Sequence, residues 1–286
     1  MFTDGPVTPL HVESVIDFLR LNSKRKFSRE DIKNSFQPES VTGSQEQITR
    51  ALRASEELGL IEKDGKQVKL APFKSSKLST RQLLLSACDQ RILSSKEQEY
   101  YFALFYAYLL GLNEEGIKTG TKLGEQWASS FNRDVFNNVK QTNQFNSEKY
   151  TGLMRWFSFV GLGWHDTNGA FNCNPYHRLS RALPQIFAKK KLECDEFMES
   201  LAENCPELDG GEIFLEANKR YDSSAKQCTL GLSHALIDLH LDGQIKLHCP
   251  KDSNGWSIGL ANPSSDGKTL VSARISQVEL GKGGGK

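Results

Sequence analysis

The stretch "GLIEKDGKQVKLAP" runs from Gly59 to Pro72. Asp64-Gly65 is a hairpin turn signal, and Leu60/Glu62 before it and Val68/Leu70 after it read as short strands. Gly59 stops whatever precedes the hairpin, and Pro72 closes it. A second stretch, "GLGWHDTNGAFNCNP" (Gly161–Pro175), follows the same plan, with Asn168-Gly169 at the turn and Phe171 and Cys173 on the return strand. Only the first copy is rich in lysine.

Three helices are expected before the first hairpin. Val12, Val15, Ile16 and Leu19 recur at helical spacing, and Pro9 suits a first helical position. Ser28 caps a second helix, "REDIKNSF", whose Glu30 and Asp31 favour its positive end. Ser44 is expected to cap a third helix ending at Leu58, with Gln47 completing a capping box. Three helices followed by a β-hairpin is the winged-helix order, a helix-turn-helix variant whose third helix enters the major groove.

That reading places Gln45, Thr49, Arg50 and Arg53 on the outer face of the third helix, where Arg and Gln can reach base edges. The wing supplies Lys63, Lys66 and Lys69, and Lys24, Arg25 and Lys26 precede the second helix. These cations are candidate phosphate contacts, although the same residue types also serve as ordinary solvated side chains. Residues 1–80 hold 13 Lys/Arg and 11 Asp/Glu, so any basic face must be local.

The plan returns twice. "KSSKLSTRQ" (Lys74–Gln82) reads as a linker. Helices are expected over Glu97–Leu112, Gly124–Phe131 and Glu148–Val160 before the second hairpin. Trp156, Phe157, Trp164 and Phe171 make this copy aromatic, which suits a core or a protein interface better than a groove reader. "CDEFMESLAENC", "GEIFLEANKRY" and "LGLSHALIDLHLDG" are the helices of a third copy. Its hairpin is expected around Ser253-Asn254-Gly255, with "TLVSARISQVEL" adding strand. A spacing of roughly a hundred residues between copies means tandem modules rather than a solenoid. The expected fold is mainly α with small β-hairpins (α+β), as tandem winged-helix domains over residues 1–74, 75–190 and 191–280, with a disordered tail at 281–286.

The net charge of +1 excludes a uniformly basic coat. No apolar run approaches the ~20 residues of a membrane span. No secretory leader is evident, and the cysteines at 88, 173, 194, 205, 228 and 249 form no CxxC pair. A reduced, cytoplasmic setting is expected.

Signs of catalysis are weak. "NPSSDGKT" (Asn262–Thr269) ends like a phosphate-binding loop but lacks its first Gly and the helix that must follow. His234 and His240 are not spaced as a helical metal pair, and His165 beside Asp166 lacks a nucleophile elbow. His240, His248 and Cys249 could meet at the third hairpin. No cofactor, metal site or catalytic residue is expected.

The "ALRASEELGLIEKDG" transition and the segment "GLGW…NCNPYHRLSRAL", with an aromatic residue shortly before Arg178-x-x-Arg181, resemble the DpdG family. That family belongs to bacterial genomic islands that place 7-deazaguanine derivatives in DNA and restrict foreign DNA. The resemblance covers nearly the whole chain and implies a role in a multi-protein DNA-defence assembly, with no catalytic residues to carry over. The chain is also similar to the tandem winged-helix subunits that bind kleisins, though those usually hold two modules rather than three. The expected function is a non-enzymatic adaptor contacting duplex DNA and partner subunits. A transcriptional regulator, or a hydrolase or nuclease on an unusual scaffold, are the alternatives.

Overall fold

Thr8 opens the first helix of the computed structural model, which describes residues 7–72, 78–91, 93, 100–112, 124–139, 144–167, 171–249, 254–261 and 270–281. Helix α1 (Pro9–Leu21) starts as expected, with the Thr8 hydroxyl accepting from the His11 N–H and Pro9 at the first position. Its buried face is Val12, Val15, Ile16 and Leu19.

The first unit continues with β1 (Phe27–Ser28), α2 (Arg29–Phe36), α3 (Glu39–Thr42), α4 (Glu46–Glu57), β2 (Ile61–Asp64) and β3 (Gln67–Leu70). Ser28 and Asp31 form a reciprocal capping box at α2. The box expected at α4 does not form. Gln45 is the N-cap without a side-chain cap bond, and Ser44 only accepts from the Glu46 N–H at 3.2 Å. The short α3, ended by left-handed Gly43, has used the preceding residues and displaced the start of α4. Gly59 ends that region at φ +66°, and Gly65 turns the hairpin at φ +62°, conformations that cost a side-chain residue energy. Strand β1 joins the outer edge of β3, pairing Phe27 with Val68, so the sheet order is β1-β3-β2.

The region read as a linker is partly helical. Residues 73–77 lie outside the described residues, but Thr80, Arg81 and Gln82 begin α5 (Thr80–Arg91). The Ser79 N–H donates to Gln82 and the Gln82 N–H to Ser79, a capping box hidden in a serine-rich run. Helices α6 (Tyr100–Gly111), α7 (Gly124–Phe136) and α8 (Ser147–Val160) follow, then β4 (Gly163–His165) and β5 (Phe171–Cys173) as an antiparallel pair. The expected Asn168-Gly169 turn lies outside the described residues. Helix α6 is apolar around its whole circumference and buried throughout Phe102–Leu110, the pattern of a central helix.

Helix α9 (Tyr176–Ile186) leads to β6 (Lys191–Glu193), α10 (Cys194–Asn204), α11 (Glu212–Ala217), α12 (Leu230–Leu241) and β7 (Ile245–His248). Here the expected hairpin is wrong. Strand β7 does not turn back on β8 (Trp256–Ala261). It pairs with β10 (Gln277–Leu280), while β8 pairs with β9 (Leu270–Ile275). The reason is packing: Val278 falls opposite both Leu192 and Leu247 in the sheet β6-β10-β7, and Trp256, Ile258 and Ile275 bury a face of their own. Asn262–Thr269 and Ser253 lie outside the described residues, as do residues 282–286 of the expected tail.

The three expected units interlock. Buried apolar side chains form one contiguous cluster from Val7 to Val278. The Trp156 indole N–H of α8 donates to the Val7 carbonyl at 2.7 Å, and Arg20 of α1 donates to Thr80 and to the Leu78 carbonyl. Asn218, just past α11, donates to the Ala107 carbonyl of α6 at 2.9 Å. Among the described residues no helix is long and apolar enough to cross a membrane.

Candidate functional site

The residues singled out for nucleic acid are brought to one unit, but most already have partners. Arg50 pairs with Glu46 and Arg53 with Glu57 at 2.9 Å, both one turn apart on α4. Lys63 of the hairpin reaches Glu56 at 3.8 Å, and Lys69 lies 3.8–3.9 Å from Glu62 and Asp64. Gln45 donates to Asn34 and the Thr49 hydroxyl to the Gln45 carbonyl. Lys24, Arg25 and Lys26 are exposed between α1 and β1, and Lys66 is exposed at the hairpin tip. The face is therefore a mosaic of both signs. Exposed pairs are worth about 0–1 kcal/mol each, so phosphates can exchange with these carboxylates at little cost.

The aromatic residues expected at a protein interface are mostly core. Trp156, Phe157 and Phe171 are buried, which removes them from any surface. Phe157 and Phe171 lie on the side of α8 and β5 that meets α6: the Phe157 ring sits 5.0 Å from Phe102 and 5.5 Å from Tyr106, and Phe171 sits 5.7 Å from Phe157, while Trp156 turns to the Val7 carbonyl. Trp164 alone of the four is open, at 51% exposure.

A charged network ties α5, α9 and the loop between α10 and α11 together. Arg181 of α9 grips Asp89 of α5 through two bonds of 2.7 and 2.8 Å and donates to the Val160 carbonyl. Arg178 donates to Glu207 at 2.9 Å and to the Asn204 carbonyl, and stands 3.6 Å from Asp89. Burial pushes the Glu207 carboxyl up, against the pull of Arg178. Glu207 Oε2 is buried without a hydrogen-bond partner. The triple lysine beyond α9 is solvated, with Lys189 on Glu196 and Lys190 on Glu279.

Two of the cavities among the described residues lie between the middle and last expected units. One, of about 840 Å³, lies between the ends of α6 and α7 and the loop after α11, and mixes Arg133, Lys219 and Arg220 with Asp134 and Asp222. The other, of about 480 Å³, lies where the base of the β4–β5 hairpin and the start of α9 meet the end of α12. Its lining includes Gly161, Trp164, Asn174, Tyr176, Asp238 and Asp242. Gly161, at φ +82°, lets His177 pack where a Cβ would stand 2.5 Å from it.

A family model described as DpdG-like matches residues 3–253. The chain belongs to the DpdG-like family. No curated protein and no solved structure matches it. Membership fits a role in a DNA-modification island.

Within this DpdG-like chain, the segments that carried the resemblance do two jobs. Gly161, Gly163 and Trp164 of "GLGW" and Asn174, Tyr176 and His177 of "NPYH" line the smaller cavity, while Arg178 joins the second expected unit to the third through Glu207 and Arg181 holds α9 to α5 within the second. Asp89, Glu207, Asp238 and Asp242 escaped the sequence reading. The visible signal for the last two was a pair of aspartates in the last turn of a helix, where cations are favoured. Among the described residues no three His, Cys, Asp or Glu side chains cluster as metal ligands. His248 faces Glu279 at 3.2 Å, His240 accepts from the Leu247 N–H at 3.5 Å, and His165 meets the Ser158 hydroxyl at 3.3 Å on the surface.

Proposed function

We propose that this DpdG-like chain is a non-enzymatic adaptor of a bacterial DNA-modification or DNA-defence assembly, whose first unit is a winged helix that contacts duplex DNA. The observation that carries this reading is the layout of residues 9–70: α1-β1-α2-α3-α4 followed by a hairpin whose second strand also takes β1. A winged helix has this order, and it puts α4 and the hairpin tip on the nucleic-acid side. Arg50, Arg53, Lys63, Lys66 and Lys69 then approach phosphates, with Lys24–Lys26 at the flank. The acidic partners on the same face argue for modest affinity with little sequence selection. The middle and last units, fastened to the first through one core, are the place for partner subunits.

Fluorescence polarisation of a labelled duplex, titrated across a range of salt, tests the DNA contact. Binding is expected at low salt, with a log–log slope of about −0.9 for each phosphate engaged. The Arg50→Ala/Arg53→Ala variant should bind more weakly and with a shallower slope. Absence of binding at low salt, or a variant that behaves as wild type, overturns the DNA contact. Cleavage of labelled DNA in the presence of magnesium, manganese or zinc would overturn the non-enzymatic reading.

A further inference from the structure

Asp238 and Asp242 stand one turn apart at the end of α12, a like-charge pair placed where the helix carbonyls already make the field negative. Their partners are neutral: Asn174 donates to Asp238 at 2.8 Å, and the Tyr176 hydroxyl donates to Asp242. Among the described residues no lysine or arginine pairs with either. Both carboxylates line the 480 Å³ cavity. Trp164 flanks it from the hairpin side, and Leu241 flanks it from α12 at 75% exposure. Two carboxylates, a helix C-terminus, an open indole and an exposed leucine thus converge on one concave spot.

We propose that this junction is a docking site for an arginine side chain of a partner polypeptide. A guanidinium can bridge two carboxylate-bearing groups through its fork of N–H donors and lie against an indole face. Its methylene stem would cover Leu241. A polypeptide is favoured over a small organic cation because Trp164 and Leu241 extend apolar surface on both sides of the cavity. A small cation leaves that surface wet, whereas residues flanking an arginine cover it. Arginine and aromatic residues are the usual anchors of such contacts. The site deepens the adaptor reading, on which it rests for a partner, and gives the middle and last units a stated chemistry to recognise.

The test uses the full chain and two synthetic peptides, Ac-Leu-Arg-Leu-NH₂ and its citrulline counterpart, which has the same shape without the charge. The readout is the indole N–H resonance of Trp164, assigned by comparison with Trp164→Phe. The arginine peptide should shift this resonance saturably, and the citrulline peptide should bind at least about tenfold more weakly, since its hydrogen bonds to the carboxylates are no longer charge-assisted. Asp238→Asn/Asp242→Asn should lose the arginine response. Should that variant fail to fold, Leu241→Ala, at an exposed position, should weaken binding about threefold or more through lost apolar cover. Equal response to both peptides, no response to either, or no effect of the variants overturns the proposal. Agmatine binding as tightly as the peptide also overturns it, in favour of a small cation. DNA binding is read separately, so failure here leaves the DNA contact standing, and the reverse holds.

Discussion

Arg178 and Glu207 meet at 2.9 Å with both side chains out of water, one on α9 and the other in the loop between α10 and α11. Removing Arg178 leaves a buried carboxylate facing no cation, so Arg178→Ala should cost about 3–5 kcal/mol. Replacing both by apolar residues of similar size, as Arg178→Met/Glu207→Leu, should fall much closer to wild type, because neither desolvated charge remains. Urea denaturation of Arg178→Met, Glu207→Leu and the double variant closes the cycle. Additive losses would show that the two residues act independently.

Gly231 in the first turn of α12 sets a contest between propensity and space. Alanine gains about 1 kcal/mol over glycine in a helix. Here its Cβ would stand 2.6 Å from Leu110 Cδ1 and 2.8 Å from the Cys173 carbonyl oxygen. The leucine can turn, but the carbonyl belongs to the paired strand β5 and cannot. Overpacking of this kind costs about 1–3 kcal/mol, so Gly231→Ala should lower the Tm rather than raise it. A thermal melt decides the sign.

The elements of the first unit were legible because each signal is local: Pro9, the Ser28 cap, Gly59, and the turn at Gly65. The α6 helix was equally plain, since no surface helix is apolar on all sides. What escaped was set by pairing between distant segments. Strand β7 could have turned onto β8, and only the three-way stack of Leu192, Val278 and Leu247 decides for β10. The candidate site divides the same way. Phe157 and Phe171 look like interface residues until α6 is laid over them, and Trp156 until the chain before α1 covers it. Arg178 and Arg181 look like surface cations until Asp89 and Glu207 arrive from elsewhere in the chain.

Asp209 gives the fold a pH dependence of its own. It is fully buried and accepts from the Thr229 N–H at 2.6 Å and hydroxyl at 2.8 Å. Burial pushes its carboxyl up to about 6, against those two bonds. A carboxyl with a folded pKa above its unfolded value of about 3.9 binds more protons when folded. Its contribution to stability is therefore greatest below about pH 4 and falls as pH rises to about 6, by up to about 3 kcal/mol. Asp209→Asn keeps an acceptor for Thr229 without the charge. It should flatten this fall, so wild type and variant diverge in their urea midpoints across pH 4–6. Parallel curves would mean that Asp209 does not titrate in this window.

The ion pairs of α4 lead to a prediction that runs against ordinary stability reasoning. Glu46 and Glu57 hold Arg50 and Arg53 through exposed bridges that contribute about 0–1 kcal/mol each. Glu46 also lies in the first turn of α4, where its charge adds about 0.3–1 kcal/mol. Glu46→Gln/Glu57→Gln should therefore lower the Tm slightly. The same change removes, beside two arginines on the proposed groove face, two negative charges that repel phosphates. Affinity for duplex DNA at low salt should rise about threefold to tenfold, and the salt slope should steepen by up to about 0.9 for each phosphate newly engaged. Polarisation titrations of wild type and variant at several salt concentrations measure both quantities. Tighter binding from a less stable protein would place α4 against the DNA. Unchanged binding, with the expected small loss in Tm, would turn this face away from nucleic acid and leave it for a protein.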